Sequence, residues 1–426
     1  MTQDRALDTT GEGLRVISEP LPGVRSVALG VWIGVGSRFE SAAEGGISHF
    51  IEHLLFKGTD RLSAAGIAEA FDAIGGEVNA ATGRDHTVVY TRVLDDHLER
   101  AFEVVGDMVA HPAFLELEQE RQVILEEILM YEDDPGDQVH DLISEAVFPD
   151  QPLGRPVLGT AEVISTVPGD HVRAYHMGHY TAGNIVVAAS GSVDQGRLLE
   201  LSERYLGDLV AGQAYAVEPA APGEARLVSR SKPTEQYHMA LGGPGLDRSD
   251  DRRHAMGVLD VILGGSMSSR LFQEIREKRG LAYSVGTYSV GFADTGQVGV
   301  YLGTREENLV EAAGIIGREL CRMAAEPVPA AELSRARDHL KGRLVLGLES
   351  PATRMHRIGR AVLSGTELLE VDEIVERIEA VTADDIAALA AEFWDPSYLS
   401  VAAIGPDTDA VRRAASRLAP NLVEAA

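Results

Sequence analysis

The sequence has 426 residues, enough for two or three domains at about 100–200 residues per domain. Hydrophobic residues make up 45% and charged residues 24%, with no long polar tract, so we expect a soluble globular protein and not a disordered chain. The net charge of −28, from 38 Lys and Arg against 66 Asp and Glu, argues against non-specific binding to nucleic acid or to an anionic membrane.

The N-terminal segment and the single cysteine bear on where the protein is located and on whether it forms disulfides. The segment MTQDRALDTTGEG lacks the basic start and apolar run of a secretory signal, and no unbroken apolar stretch of about 18 residues occurs. We therefore expect a cytoplasmic protein with no membrane partner. The single cysteine, Cys321, cannot form an intramolecular disulfide, and its place in the apolar-periodic stretch GIIGRELCRM predicts a thiol packed in the core.

The first half of the chain alternates between strand and helix patterns. The β-branched runs LRVISEP and VRSVALGVWIGVGS predict strands joined by the turn PLPG. GGISHFIEHLLFKG has a helical apolar rhythm that ends at Gly58, and SAAGIAEAFDAIGG predicts a second helix with Ser63 as its N-cap. EVNAATGRDHTVVYTRVL and NIVVAASGSV predict further strands on either side of helices over 95–110 and 115–132.

The second half looks like a copy of the first. Residues 207–225 lose periodicity and gather Gly, Ala and Pro, as linkers do. Beyond them, HMALG resembles SVALG at an offset of 212, and LSRARDHLKGRLV resembles LEQERQVILEEIL at an offset of 216. The near-constant offset favours an internal duplication, with a chance likeness of two strand–helix units as the alternative. We predict an N-terminal domain over 1–212, a linker over 213–225 and a homologous C-terminal domain over 226–426.

The sharpest motif is H-x-x-E-H, formed by His49, Glu52 and His53 in a predicted helix. At about 100° per residue, the two histidines lie one turn apart on one face, so both imidazoles can reach a single metal ion. The alternative is a pair of hydrogen-bonded histidines on a semi-buried face. A catalytic zinc also needs a third protein ligand and an open position for water.

The segment LEQERQVILEEILMYEDDP offers that third ligand. Glu120 and Glu127 lie seven residues apart, two turns along one helical face, among apolar neighbours. A carboxylate in such surroundings is costly unless it is paired or metal-bound. Glu126 points away from that face and is predicted to be solvated. The alternative is an ordinary acidic surface helix.

These residues resemble the pitrilysin or insulinase family of inverzincin metallopeptidases, which includes the mitochondrial processing peptidases. The likeness runs from about residue 13 to 400 and includes EGGISHFIEHLLFKGT, ERQVILEEILMYEDDP and QPLGRPVLGT. It implies an α+β fold of two homologous domains, each a mixed, largely antiparallel β-sheet packed with α-helices. It also implies that His49, His53 and Glu127, 74 residues after His53, bind one Zn²⁺ per chain. Glu52 would be the general base, and Glu120 would orient the site.

A second element of the resemblance is GGEVNAATGRDHTVVY, residues 75–90, which is similar to the edge strand that holds substrate in this family. An exposed edge offers unpaired N–H and C=O groups, so an extended peptide can add to it as another strand. His86 could hydrogen-bond nearby or be merely structural, and an ordinary sheet edge is the alternative for the whole segment. The candidate substrate contacts are Gly76, Val78, Asn79 and Ala80.

The third element is SSRLFQEIREKRGLAYSV in the second half, which resembles the Arg–Tyr pair that family members direct at the substrate opposite the zinc. Here the pair is Arg276 and Tyr283, which can donate hydrogen bonds to a carbonyl oxygen as it gains negative charge. Arg279 is a lower-ranked alternative. Where duplication would place the histidines the sequence reads MGVLDVILGG, and Arg343 stands in place of Glu127, so we expect only the first domain to bind zinc.

Together these features predict a zinc-dependent endopeptidase that cleaves unfolded or extended peptides. Because family chains of this length supply half of a clamshell and this one carries both motifs, we expect a homodimer. Each site would combine the zinc of one protomer with the Arg–Tyr pair of the other, and a hetero-partner is the alternative. Two other interpretations are a catalytically silent scaffold subunit of a larger complex and a metal-dependent hydrolase of a non-peptide substrate.

Overall fold

A computed structural model describes residues 5–418 and 422–424. The strands are β1 (Ala6–Thr9), β2 (Arg15–Pro20), β3 (Ser26–Ile33), β4 (Glu77–Thr82), β5 (Thr87–Leu94), β6 (Ile185–Gly191), β7 (Arg226–Ser231), β8 (Tyr237–Gly245), β9 (Ala282–Gly291), β10 (Gly296–Thr304), β11 (Ser400–Gly405) and β12 (Val423–Glu424). The α-helices are α1 (Ile47–Leu55), α2 (Ala64–Ile74), α3 (Leu98–Ala110), α4 (Leu117–Asp133), α5 (Pro135–Val147), α6 (Ala161–Thr166), α7 (Gly169–His179), α8 (Gln195–Leu206), α9 (Arg253–Leu263), α10 (Glu306–Ala325), α11 (Ala330–Gly347), α12 (Pro351–Ser364), α13 (Val371–Ala380), α14 (Ala383–Phe393) and α15 (Thr408–Leu418). A π-helix spans Phe272–Glu277. None of the helices in the described ranges combines the length and the hydrophobicity that a membrane span requires.

The chain divides into two compact units, neither of which is continuous in sequence. Unit 1 consists of the described residues up to 129, residues 156–217 and residues 345–370. Unit 2 consists of residues 130–155, residues 218–344 and the described residues from 371 onward. Each half of the sequence therefore gives one helix to the other unit, because α5 belongs to unit 2 and α12 belongs to unit 1.

Each unit is built on a six-stranded mixed sheet. In unit 1 the strand order is β1-β2-β6-β3-β5-β4, and in unit 2 it is β12-β7-β11-β8-β10-β9. The pairs β2–β6 and β7–β11 are parallel, whereas β3 and β8 are antiparallel to both of their neighbours. The five neighbouring strands β2-β6-β3-β5-β4 of unit 1 and β7-β11-β8-β10-β9 of unit 2 therefore have the same order and the same relative directions. The predicted α+β fold with largely antiparallel sheets is confirmed, and the shared topology supports the duplication.

Both faces of each sheet are covered, which explains the continuous apolar runs in the central strands. Along β3, Leu29 and Val31 enter a core with α1 and α3, whereas Trp32 points to the opposite face and packs against Met355 of α12. In unit 2, Leu241 of β8 enters the larger core, and its neighbour Ala240 packs with residues of α5 on the other face. The exchanged helices therefore complete the second face of each sheet.

Most predicted elements of the first half form where the sequence indicates them. Ser63 caps α2 by accepting a hydrogen bond from the Gly66 N–H at 3.1 Å, and α3 and α4 match the predicted helices. Residues 207–225 contain no helix or strand. The prediction for Cys321 is wrong, because this residue is exposed. The core-facing residues of α10 in its neighbourhood are Leu320 and Met323, and Cys321 lies off their face of the helix.

The contact between α12 and the sheet of unit 1 gives a test of this packing. A Cβ at Gly359 would lie 2.2 Å from the Trp32 Nε1, whereas a Cβ at Gly342 in α11 would meet nothing within 4 Å. Gly359→Ala should lower the free energy of unfolding by about 1–3 kcal/mol through overpacking. Gly342→Ala should instead raise it by about 0.5–1 kcal/mol because alanine favours a helix interior. Urea unfolding of both variants checks the prediction, and equal stabilisation by the two would contradict it.

Candidate metal centre and substrate-binding site

The helix that carries the H-x-x-E-H motif is anchored at its N-terminus by Glu40. The Glu40 side chain is buried, and its two oxygens accept hydrogen bonds from the N–H groups of Gly46 at 2.7 Å and Ser48 at 2.8 Å. A carboxylate in this position satisfies free helix donors and interacts favourably with the helix dipole. Gly46 has φ +93°, and a Cβ there would lie 2.5 Å from the Leu158 carbonyl oxygen, so only glycine fits. These contacts set where α1 begins.

Two histidines of α1 and one glutamate of α4 converge. The Glu127 Oε2 lies 3.7 Å from the His49 Nε2 and 3.5 Å from the His53 Nε2. One ligand atom from each residue can be chosen so that all three lie within 4.8 Å of one another, and no other such group occurs among the described residues. Ligands at zinc-bond length in a tetrahedral site are about 3.4 Å apart. The trio therefore has the donor set and spacing of a catalytic zinc site.

The protonation state of the histidines suits a metal. Burial, with a smaller effect from neighbouring His53, lowers the pKa of His49 to about 4. His49 is therefore neutral at physiological pH, and the neutral imidazole is the form that coordinates a metal ion. The structure brings together all three residues that the sequence predicts as ligands.

Glu52 lies beside this trio. Its carboxylate forms a hydrogen bond with Thr82 at the end of β4, and its pKa is raised, mainly by burial, with the charge of Glu127 adding to the effect. A carboxylate with a raised pKa next to a metal site has the properties of a general base. Glu126, by contrast, is exposed, as the sequence predicts.

Glu120 occupies a different position from Glu127. It is 4% exposed, and its Oε2 lies 3.3 Å from the His53 Nδ1, the ring nitrogen on the other side from the Nε2 that faces Glu127. Its second oxygen, Oε1, is 2.7 Å from the Nζ of Lys57. Glu120 therefore contacts a candidate ligand without joining the trio.

The predicted substrate strand is at the edge of its sheet. β4 pairs with β5 and is the terminal strand in the order of unit 1. Asn79 is exposed, and its Oδ1 accepts a hydrogen bond from the Ala80 N–H at 2.8 Å, while the Ala80 side chain points into the core. Val78 is half-buried, and Gly76 precedes the strand against Val93. Available contacts along this edge are therefore mainly backbone groups and the Asn79 amide.

His86 lies close to the exchanged helix α12. Its ring centroid is 5.0 Å from that of Trp32, which packs against α12. This position favours the structural alternative for His86.

Arg276 and Tyr283 contact each other in unit 2. Arg276 lies in the π-helix, and its guanidinium is 4.2 Å from the centroid of the Tyr283 ring and 4.7 Å from that of Phe272. It also donates a hydrogen bond to the Tyr283 carbonyl oxygen at 3.1 Å. Tyr283 is 78% exposed at the start of the edge strand β9. Arg279, the alternative to Arg276, forms an ordinary surface ion pair with the Glu274 carboxylate.

Unit 2 has a different set of residues in the topologically equivalent place. α9, the first helix after β8, carries Asp260, which hydrogen-bonds Thr287 on the edge strand β9. The pKa of Asp260 is raised, mainly by burial, while the Thr287 hydrogen bond and the positive charge of Arg343 oppose that rise. On α9 the pair of histidines has no counterpart, and Arg343 stands where the duplication would place Glu127.

Three contacts of the site were not indicated by the sequence. They are the hydrogen bond between Thr82 and Glu52, the ion pair of Lys57 with Glu120, and the hydrogen bonds that Glu40 accepts at the start of α1. Lys57 follows His53 by four residues, a spacing that could have suggested it. Glu40 and Thr82 reach α1 only through the folding of a loop and of a hairpin, so local spacing carries no sign of them.

Comparison with known proteins places this architecture in a family. The sequence model of the insulinase family (peptidase family M16) matches residues 15–161, and that of the peptidase M16 inactive domain matches residues 166–340. An uncharacterized zinc protease of Streptomyces coelicolor is 45% identical, over 95% of this chain and 90% of that protein. An uncharacterized zinc protease of Bacillus subtilis is 40% identical, over 93% of this chain and 97% of that protein. The chain belongs to the insulinase family, peptidase family M16, as the sequence predicts.

Solved structures share the fold. A protease from Helicobacter pylori superposes with a TM-score of 0.88 at 21% identity, covering 95% of this chain and 100% of that one. A peptidase M16 inactive domain from Pseudomonas fluorescens superposes with a TM-score of 0.88 at 22% identity, covering 95% and 98%. These likenesses confirm the fold.

The anchoring of α1 by Glu40 can be tested directly. Glu40→Ala should lower the free energy of unfolding by about 1–3 kcal/mol, because it leaves buried N–H groups without an acceptor. Glu44→Ala serves as the matched control, since Glu44 is an acid of the same loop that pairs with His171 at a more exposed site. The control should cost less than about 1 kcal/mol. Urea unfolding measures both changes, and equal losses would contradict the anchoring role.

Proposed function

We propose that this protein is a zinc-dependent endopeptidase that cleaves unfolded or extended peptides. The observation that carries the proposal is the convergence of His49, His53 and Glu127, with Glu52 beside them on the same helix. The names of the Streptomyces and Bacillus relatives, both zinc proteases, support the choice of metal and of reaction class. The proposal includes one zinc ion per chain, which is supported by the single trio found among the described residues.

The residues of the first unit would divide the chemistry between them. His49, His53 and Glu127 would hold Zn²⁺, which when bound supplies the Lewis acidity that polarises a carbonyl and activates water. Glu52 accepts the proton of the attacking water and returns it to the leaving amine. Its hydrogen bond to Thr82 keeps the carboxylate in one orientation near the end of β4. Glu120 orients His53 through its Nδ1.

The edge strand β4 supports a peptide as the substrate. An extended chain can add to this edge by backbone hydrogen bonds, which tolerate many side chains. Because β4 ends at Thr82, whose partner is Glu52, a peptide on this edge would run towards the metal trio. A hydrolase of small non-peptide substrates has no need for such an edge.

The Arg–Tyr pair supports an assembly of two chains. Arg276 and the exposed Tyr283 can both donate hydrogen bonds to a carbonyl oxygen as it gains charge. We propose that they act in the site of a second copy, so that a homodimer holds two composite sites. A catalytically silent scaffold would not need either the metal trio or this pair.

The first test measures cleavage and zinc binding together. The wild-type protein should cleave an unfolded casein-derived peptide, lose activity with a chelator and regain it with zinc. Glu52→Gln should keep zinc at wild-type stoichiometry and lose about 10²–10⁴-fold in turnover, because the general base is gone while the ligands remain. Atomic absorption and a fluorogenic peptide assay provide the two measurements.

Neighbouring glutamates of α4 supply the controls for this test. Glu127→Gln should lose zinc, and the adjacent exposed Glu126→Gln should keep both zinc and turnover. Zinc binding without peptide cleavage by the wild type would favour a non-peptide substrate, and absence of both would favour the scaffold. Full turnover by Glu52→Gln would overturn the assignment of the base.

The shared site is tested by mixing two inactive variants, Glu52→Gln and Tyr283→Phe, co-expressed with different tags. If the site combines residues of two chains, random pairing should recover about one quarter of wild-type activity, since half of the dimers are mixed and each holds one intact site. Each variant alone is the control. Recovery no greater than the sum of the separate variants would show that the pair acts within its own chain, or not at all.

A further inference from the structure

A buried carboxylate beside the metal trio depends on a single lysine. Glu120 is 4% exposed, and its two oxygens contact different partners: Oε1 is 2.7 Å from the Lys57 Nζ, and Oε2 is 3.3 Å from the His53 Nδ1. A buried carboxylate is costly unless a positive charge or hydrogen bonds compensate it. Lys57 supplies that charge to the oxygen that His53 does not use.

Lys57 is itself held in place. It lies two residues beyond the end of α1, and its N–H donates to the Leu54 carbonyl oxygen at 3.1 Å. A cation is favoured at this end of a helix, where the unpaired carbonyl groups lie. The backbone position that ends the metal-binding helix therefore also directs the ammonium group at Glu120.

The two histidines are oriented in different ways. The His53 Nδ1 has the Glu120 carboxylate as a partner, whereas the His49 Nδ1 is buried and has no hydrogen-bond partner within the described part of the chain. His49 is held by packing, with 8% of its surface exposed. The direction in which the His53 Nε2 points thus rests on the contact with Glu120, and through Glu120 on Lys57.

The type of cation matters at this position. Arginine clamps both oxygens of a carboxylate, as Arg270 does with Glu332 in unit 2. The lysine ammonium is a compact point charge, and here it contacts one oxygen and leaves the other to His53. Lys57 can therefore hold Glu120 through one oxygen while the other oxygen contacts His53.

We propose that Lys57 is a positioning residue of the metal centre, acting through Glu120 to fix the orientation of His53. The proposal rests on the proposed function, since it assumes that His53 binds zinc. A metal ligand that donates its second ring nitrogen to a held carboxylate binds more tightly, and loss of such a partner costs about 10–100-fold in metal affinity.

The central test measures zinc affinity of the metal-free protein by competition with a chromophoric chelator. Lys57→Met should weaken zinc binding by about tenfold and shift the visible absorption of the cobalt-substituted protein, because the His53 ring is no longer fixed. Lys341→Met is the matched control: Lys341 pairs with Glu379 at 2.7 Å, and its side chain is 24% exposed against 29% for Lys57. The control should change neither reading.

A double-mutant cycle shows whether Lys57 acts through Glu120. In a Glu120→Gln background, Lys57→Met should cause no further loss of zinc affinity, because the charge that Lys57 compensates is already absent. Independent, additive losses would overturn the proposal, and so would tighter zinc binding by Lys57→Met, the result expected if the lysine merely repelled the metal ion.

Chemical rescue separates the ammonium group from the fold. In a Cys321→Ser background, Lys57→Cys can be alkylated to aminoethylcysteine, which restores the ammonium, or with iodoacetamide, which gives a neutral side chain. The aminoethylated protein should recover zinc affinity and the cobalt spectrum, and the iodoacetamide-treated protein should not. Equal recovery by both reagents would overturn the proposal. Failure of wild-type protein to bind zinc would instead count against the proposed function, so the two failures are distinguishable.

Discussion

The burial of acidic groups around one short helix is the constraint on which the rest of the site depends. α1 starts on the buried carboxylate of Glu40 and presents its histidines to α4, where Glu120 is buried and Glu127 is partly exposed. Each of these carboxylates is tolerated because a donor, a cation or an imidazole faces it. The result is a cluster in which the ligand atoms, the base and the orienting groups are all held from more than one side.

The two units share a fold but differ in the side chains at the position of the metal trio. Both sheets share strand order, and in both an acid on the following helix hydrogen-bonds a threonine on the edge strand: Glu52 with Thr82, and Asp260 with Thr287. This contact links the helix to the edge strand in both units. What unit 2 lacks is the imidazole pair, and Arg343 brings a positive charge that opposes a metal cation. The two units therefore share one architecture, and a few side chains decide which of them can bind metal.

The exchange of helices follows from the hydrophobic pattern of the sheets. The central strands are apolar on both faces, so each sheet needs a layer on both sides. In unit 1 the second layer is α12 from the far end of the chain, closely packed at Gly359 against Trp32, and in unit 2 it is α5 from the first half. Neither sheet has both of its faces covered by its own half of the sequence. The unit that holds the metal trio therefore includes residues 345–370.

Much of this protein was predictable from local pattern. The spacing of His49, Glu52 and His53 on a helix, and of Glu120 and Glu127 on another, already indicated a metal site, because helical periodicity alone puts these side chains on common faces. The duplication, the edge strand β4 and the family also followed from the sequence. The sequence could not show that Glu120 uses separate oxygens for His53 and Lys57, that Thr82 holds Glu52, that α5 and α12 change units, or that Cys321 is exposed. These depend on contacts between segments far apart in the chain and on the rotation of each helix against its core, which only tertiary packing decides.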